Sequence, residues 1–219
     1  MIRTSGAGSA AMTTVAHAML GIDSAFAGME FAGRTDLAIL REAMQRHGIT
    51  GDFDRFVQNF EERYIPELER ELRARGTAAV LPGVPELVAA VRAWPETRIG
   101  LATGNFRRAA EVKLRYFSLW EQFDGGGFAE DGEDRAHMVA AAIQRMSDGH
   151  GPARTVFVLG DSPADIAAAK ANGAVAVGVA TGYADAAILA ATGADLVFND
   201  LSDTETVLRL LRERAAGPA

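Results

Sequence analysis

Cysteine is absent from this chain of 219 residues. With it go disulfides, thiolate metal sites, iron–sulfur clusters and a cysteine nucleophile, although the compartment stays open on that count. Long apolar runs are missing as well. The best, Gly173 to Thr181, falls far short of the ~20 residues a bilayer-spanning helix needs. Basic charge is scarce: 22 Lys and Arg stand against 29 Asp and Glu, a net charge of -7, which creates no field to attract nucleic acid. Ser5 to Ile22 lacks charged side chains, but Ser, Thr, Gly and His interrupt it and deny it the apolar core of a leader. The expectation is a cytoplasmic protein that binds neither membrane nor nucleic acid.

What remains is ordinary for a folded domain, with 48% hydrophobic and 23% charged residues, and the length suits one domain plus a smaller appendage. From Gly8 to Arg75 the periodicity is helical. Thr35 reads as an N-cap before Leu37, Leu40, Ala43 and Met44, and Gly48 as the stop. A second helix begins near Asp52 with Phe53, Phe56, Val57 and Phe60 on its buried stripe, and Pro66 is expected to break or kink it. Leu81-Pro82-Gly83-Val84-Pro85 punctuates the chain, with Pro85 placed to start a helix running to Trp94. Beyond it, short apolar runs at Arg98 to Ala102, Thr155 to Gly160, Ala174 to Ala180 and Asp195 to Phe198 alternate with helix-length segments. That alternation predicts an α/β fold with a parallel, Rossmann-like sheet and crossover helices.

Two strand ends carry chemistry-bearing residues, at the edge where open parallel sheets bind ligands. Leu101-Ala102-Thr103-Gly104-Asn105 offers a hydroxyl, a pliant backbone and the first amides of a helix, a seat for phosphate or an ordinary strand-to-helix turn. Gly160-Asp161-Ser162-Pro163-Ala164-Asp165 delivers two carboxylates at the mouth of a helix, oxygen ligands that suit Mg²⁺. Ser162 as N-cap, Pro163 at N1 and Asp165 at N3 account for Asp165 without a metal, but leave Asp161 unexplained. A serine nucleophile at Ser162 is opposed by Pro163, which has no N–H to give an oxyanion, and by the absence of any later histidine. His17, His47, His137 and His150 show no metal spacing, Gly125-Gly126-Gly127 lacks the dinucleotide-loop spacing, and no P-loop occurs. Arg135, at the start of an amphipathic segment, matters in combination with the two strand ends, because a fixed cation completes a site for a phosphoryl group and its metal.

Thr103 after a strand, Arg135, and then Gly160-Asp161-Ser162-Pro163-Ala164-Asp165 resemble, in that order, the haloacid dehalogenase (HAD) superfamily of phosphohydrolases, phosphoglycolate-phosphatase-like members above all. Gly33-Arg34-Thr35-Asp36 and Leu81-Pro82-Gly83-Val84 look like that group's cap and linker. The resemblance implies an HAD-like core over residues 1–8 and 80–219 and a helical cap over residues 9–79. It implies that Thr103, Gly104 and Asn105 bind the phosphoryl group, that Arg135 stabilises charge, and that Asp161 ligates Mg²⁺ with Asp165 in support. Arg34 is the candidate anionic-substrate handle in the cap, against a surface role near a helix start. Arg135 departs from the more usual lysine by offering a planar fork in place of a point charge.

The larger departure is the lack of the D-x-D-G-T motif, whose first Asp attacks phosphorus and whose second moves a proton. Met1-Ile2-Arg3-Thr4-Ser5-Gly6 resembles the stretch just past that motif in the family, so the central catalytic strand is expected to be missing and the chain inactive or nearly so. The expected activity of a complete relative is hydrolysis of a small phosphorylated molecule through an aspartyl-phosphate. Carbon–halogen or carbon–phosphorus chemistry and a non-catalytic phosphate-binding or interaction module are the alternatives.

Overall fold

In the computed structural model the described residues are 1–31, 33–182 and 184–217. Three helices fill the first third: α1 (Ala7–Leu20), α2 (Asp36–Arg46) and α3 (Phe53–Arg75). The Thr35 hydroxyl caps α2 by accepting from Ala38 N, and Asp52 caps α3 by accepting from Arg55 N. Helix α3 runs unbroken through Pro66, contrary to the expected break. Proline removes one backbone bond, but Phe60, Tyr64, Ile65, Leu68 and Leu72 are buried along one side, and Arg70 and Arg75 reach back to Glu67 and Glu71. These three helices share a core that closes on Phe106 and Ala109, so the helical layer is anchored on the α/β part by apolar packing.

The remaining elements alternate as expected. A two-residue ladder, β1 (Ile2–Arg3) with β2 (Ala79–Val80), is antiparallel and precedes α4 (Val84–Arg92). Then come β3 (Gly100–Ala102), α5 (Arg107–Arg115), β4 (Gly125–Gly127), α6 (Arg135–Ser147), β5 (Phe157–Gly160), α7 (Pro163–Ala171), β6 (Val175–Val179), α8 (Ala186–Ala191), β7 (Leu196–Phe198) and α9 (Thr204–Ala216). The pairs β3–β4, β5–β6 and β6–β7 are all parallel. Helix α6 packs on β3 and β4, α7 on β5 and β6, and the two helices pack on each other. Both ladders therefore lie under one helical layer, yet among the described residues no ladder joins β3 to β5. Leu159 of β5 is left 40% exposed. Among the described residues no helix is long and apolar enough to cross a membrane.

Strand β4 went unpredicted because its three residues are glycines, which carry no hydrophobic pattern. Packing explains them. A Cβ on Gly127 would stand 1.9 Å from the Met138 carbonyl oxygen of α6, and one on Gly126 would stand 2.5 Å from the Leu101 carbonyl oxygen of β3. Helix and strand touch backbone to backbone.

At the far end of the sheet, Asp195 ties three elements. Its carboxylate accepts from Lys170 Nζ at 2.7 Å, Ala176 N at 2.8 Å and Arg214 Nη2 at 3.2 Å. The Lys170 hydrogen bond, with Ala176 and Arg214, holds its pKa below the usual carboxylate range.

This packing carries two expected outcomes. Gly127→Ala should lower unfolding free energy by about 1–3 kcal/mol, the usual cost of overpacking, read by urea denaturation; an unchanged midpoint would contradict the close contact. Asp195 has a depressed folded pKa, so its contribution is present above the unfolded value near ~3.9 and is lost as pH falls through the folded value. Asp195→Asn should therefore be less stable than wild type at neutral pH and converge with it in acid, as followed by thermal melts across pH.

Candidate active site

The carboxyl end of β5 is organised by one buried carboxylate. Asp165 Oδ2 accepts from Asp161 N and Ser162 N, each at 3.1 Å, and from the Ser162 hydroxyl at 2.7 Å, while Asp165 N donates back to Ser162 Oγ. The capping arrangement legible in the sequence is present. Its other oxygen, Oδ1, pairs with Arg135 Nε at 2.5 Å. Gly160 permits this, because a Cβ there would stand 2.1 Å from the Asp165 Cβ. Arg135 opens α6, behind the Asp134 cap, so the structure brings Arg135 and Asp165 together from two helices.

Asp161 is different in kind. Among the described residues no protein donor reaches its carboxylate. Its side chain lies against Gly182 in the loop after β6, where a Cβ would come within 2.6 Å of Asp161 Oδ2. The first residue of the chain lies beside the same two aspartates: burial lowers the Met1 amino pKa, while Asp161 and then Asp165 oppose that shift.

At the carboxyl end of β3, Thr103 N donates to Gly127 O at 3.1 Å, and Thr103 Oγ1 accepts from Asn105 N at 3.3 Å. That leaves the hydroxyl proton to donate elsewhere. Gly104 sits under the helical layer, since a Cβ there would stand 2.3 Å from the Arg34 carbonyl oxygen. The Asn105 side chain is turned inward. Its Oδ1 accepts from Lys113 Nζ at 2.8 Å, and its Nδ2 points to Asp36 Oδ1 at 3.5 Å.

The first amides of α5, read from the sequence as part of a phosphate seat, already have acceptors: Phe106 N donates to Asp36 Oδ2 at 2.8 Å and Arg107 N to Glu130 Oε1 at 2.9 Å. Arg34 is tied to the helix that follows it, with Nη1 2.5 Å from Glu42 and Nη2 donating to Ala38 O. The hydrogen bond from Arg34 holds the Glu42 carboxyl below its usual range.

Sequence reading missed the buried polar group made by Asp36, Lys113 and Tyr64. Asp36 is 4% exposed and Lys113 9%. Burial raises the Asp36 pKa, lowers that of Lys113, and raises that of Tyr64. One signal was available: Lys113 stands four residues after Ala109, on the apolar stripe that α5 buries with Ala110 and Leu114.

A family profile described as haloacid dehalogenase-like hydrolase matches residues 14–170. The chain belongs to that family. Solved HAD-like structures share its fold at low identity. A β-phosphoglucomutase from Clostridium difficile superposes with a TM-score of 0.66 at 15% identity, covering 99% of this chain and 94% of that one. A predicted phosphoglycolate phosphatase from Haemophilus somnus gives 0.64 at 15% identity, covering 95% and 93%. A hydrolase from Pseudomonas syringae gives 0.63 at 20% identity, covering 93% and 90%. No curated protein matches the sequence.

HAD hydrolases generally use Mg²⁺, and the donors present fit it in part. Among the described residues no cluster of three or more His, Asp or Glu gathers to hold a metal. Asp161, without a donor among the described residues and packed against Gly182, suits one bond to Mg²⁺, which commonly takes one or two carboxylates and completes its shell with water and phosphate. Asp165 has both oxygens engaged and suits the role of holding the Asp161 loop.

Removing Arg135 would strand the Asp165 carboxylate. Arg135→Met should cost about 3–5 kcal/mol, and adding Asp165→Asn should recover part of it, since the amide needs no counter-charge. Additive losses in a urea double-mutant cycle would mean that the pair is not coupled.

Proposed function

We propose that this chain carries the phosphate- and metal-binding side of a Mg²⁺-dependent phosphomonoesterase acting on a small phosphorylated metabolite. The observation that carries the reading is Asp161, a carboxylate with no protein donor among the described residues, at the strand end that also anchors Arg135 through Asp165. Thr103 donates its hydroxyl proton to a phosphoryl oxygen, the Gly104 backbone completes that side of the seat, and Asn105 N, committed to Thr103 Oγ1 at 3.3 Å, orients the hydroxyl. Arg135, held at Nε by Asp165, presents the rest of its guanidinium to the phosphoryl charge. Mg²⁺, when bound at Asp161, supplies charge neutralisation on the phosphate. The helical residues 9–79 act as the cap over a core formed by 1–8 and 80–219.

Residues 1–219 contain no D-x-D-G-T, so the covalent nucleophile and the proton-transferring carboxylate have no counterpart among them. Two observations support a place for such a strand between β3 and β5: among the described residues each of the two pairs on one side only, and Leu159 is exposed. Residues 1–219 alone therefore bind phosphate with Mg²⁺ but turn over an aryl phosphate barely above background. The lack of the motif equally favours the second reading, a binding module that keeps the seat without the chemistry.

Calorimetry with inorganic phosphate and Mg²⁺, paired with aryl-phosphate hydrolysis, tests this. Asp161→Asn should abolish the Mg²⁺ dependence of phosphate binding, and Thr103→Val should weaken binding about 10-fold, the factor for a lost charged hydrogen bond of ~1.4 kcal/mol or more. Mg²⁺-dependent binding that survives in Asp161→Asn removes the metal assignment. A protein extended upstream by an in-frame D-x-D-G-T that hydrolyses the ester supports the phosphatase; one lacking the motif that still binds phosphate supports the module.

A further inference from the structure

Helix α5 lacks an N-cap of its own. Its cap position is held by Phe106, whose side chain offers no acceptor. The acceptor comes from another layer of the molecule, Asp36 at the start of α2, 70 residues away, whose Oδ2 takes the Phe106 N–H at 2.8 Å. The contact is reciprocal: Asp36 N donates to the Gly104 carbonyl at 2.6 Å. The other oxygen of Asp36 faces the Asn105 amide at 3.5 Å, and that amide receives the Lys113 ammonium at 2.8 Å. Asp36 and Lys113 form no direct ion pair; Asn105 stands between them as a relay, its carbonyl toward the cation and its amide toward the anion.

Around this relay the space is closed. A Cβ on Gly8 of α1 would stand 3.3 Å from Lys113 Nζ and 3.4 Å from the Tyr64 hydroxyl. The cation thus lies against the first turn of α1, where the helix dipole disfavours positive charge and where no acidic residue of α1 compensates. A buried ammonium in that place depends on Asn105 and Asp36. Glu130 and Glu61 are the other carboxylates near Asp36. Glu130 is committed to Arg107 N.

The backbone groups fastened in this way belong to the turn directly after Thr103. We infer that Asp36 and Lys113 are positioning residues for the phosphate seat: the Asp36–Asn105–Lys113 relay fastens the helical layer to the Thr103–Phe106 turn and sets the direction of the Thr103 hydroxyl. Asp36 orients Asn105 from one side and Lys113 from the other, and Asn105 N in turn donates to Thr103 Oγ1. If the turn loosens, that bond is lost and the hydroxyl rotates freely. The inference deepens the proposed function, because it assigns control of the same seat to two residues that act on it through the Gly104–Phe106 turn.

The test uses the full chain with Asp36→Asn, Lys113→Met and the charge-balanced double variant. Deuterium exchange at the 103–110 amides is read separately from titration with inorganic phosphate and Mg²⁺. Each single variant should speed exchange at 103–110 at least about 10-fold, leave α7 unchanged, and weaken phosphate binding about 10-fold; the double variant should lose little more than the worse single, since both ends hold the same Asn105. Unchanged exchange at 103–110 in the folded single variants, or effects that simply add in the double, overturns the relay. Faster exchange with no phosphate binding even by wild type upholds the relay as a structural fastening and overturns its role in a seat, which is a failure of the proposed function. Should the single variants fail to fold, a through-hydrogen-bond scalar coupling from the Phe106 ¹⁵N nucleus to the Asp36 side-chain carboxyl in wild type decides whether the bond exists in solution.

Discussion

The carboxylate of Asp165 is the constraint on which the strand-end geometry rests. Four hydrogen-bonding or charged partners converge on it from the β5 turn, the start of α7 and the start of α6. A buried carboxylate is costly unless so satisfied, and its demands propagate outward. Position 160 must be glycine because Asp165 presses on it, Ser162 must supply a hydroxyl, and α6 must begin with a cation facing it. Asp161 inherits its orientation from the same turn, since its own N–H is one of the four donors.

That hub was visible in the sequence because it is local. Ser162, Pro163 and Asp165 lie within one turn, and N-cap chemistry depends only on residue type and spacing. The helical first third and the strands at Gly100, Phe157, Val175 and Leu196 were legible for the same reason, as periodic or apolar runs. Glycine strand β4 was not, because it has no side chains to pattern; it exists because α6 lies too close for any. The unbroken passage of α3 through Pro66 was hidden too, since the lost backbone bond is outweighed by side chains whose burial only the tertiary structure reveals.

The interior polar group was the least legible feature. Asp36 and Asn105 meet across 69 residues of chain, and no short window contains both. Lys113 reads locally as a lapse in an apolar stripe. Only when the helical layer folds onto α5 does the lapse acquire partners. Arg34 reads differently again: its sequence neighbourhood suggests a handle for substrate, and in the structure it pairs with Glu42 of the helix that follows it.

Because Gly126 and Gly127 leave no side chain between strand and helix, β3, β4 and α6 behave as one block, with Thr103 and Arg135 mounted on it. Asp161 and Asp165 ride on a second block, β5 to β7 with α7. The Arg135–Asp165 pair joins the two at the strand ends, beside the packing of α6 on α7 and the bond from the Asn172 amide to Ala136 O. On the proposed function, the room for a phosphoryl group is the clearance between these two blocks.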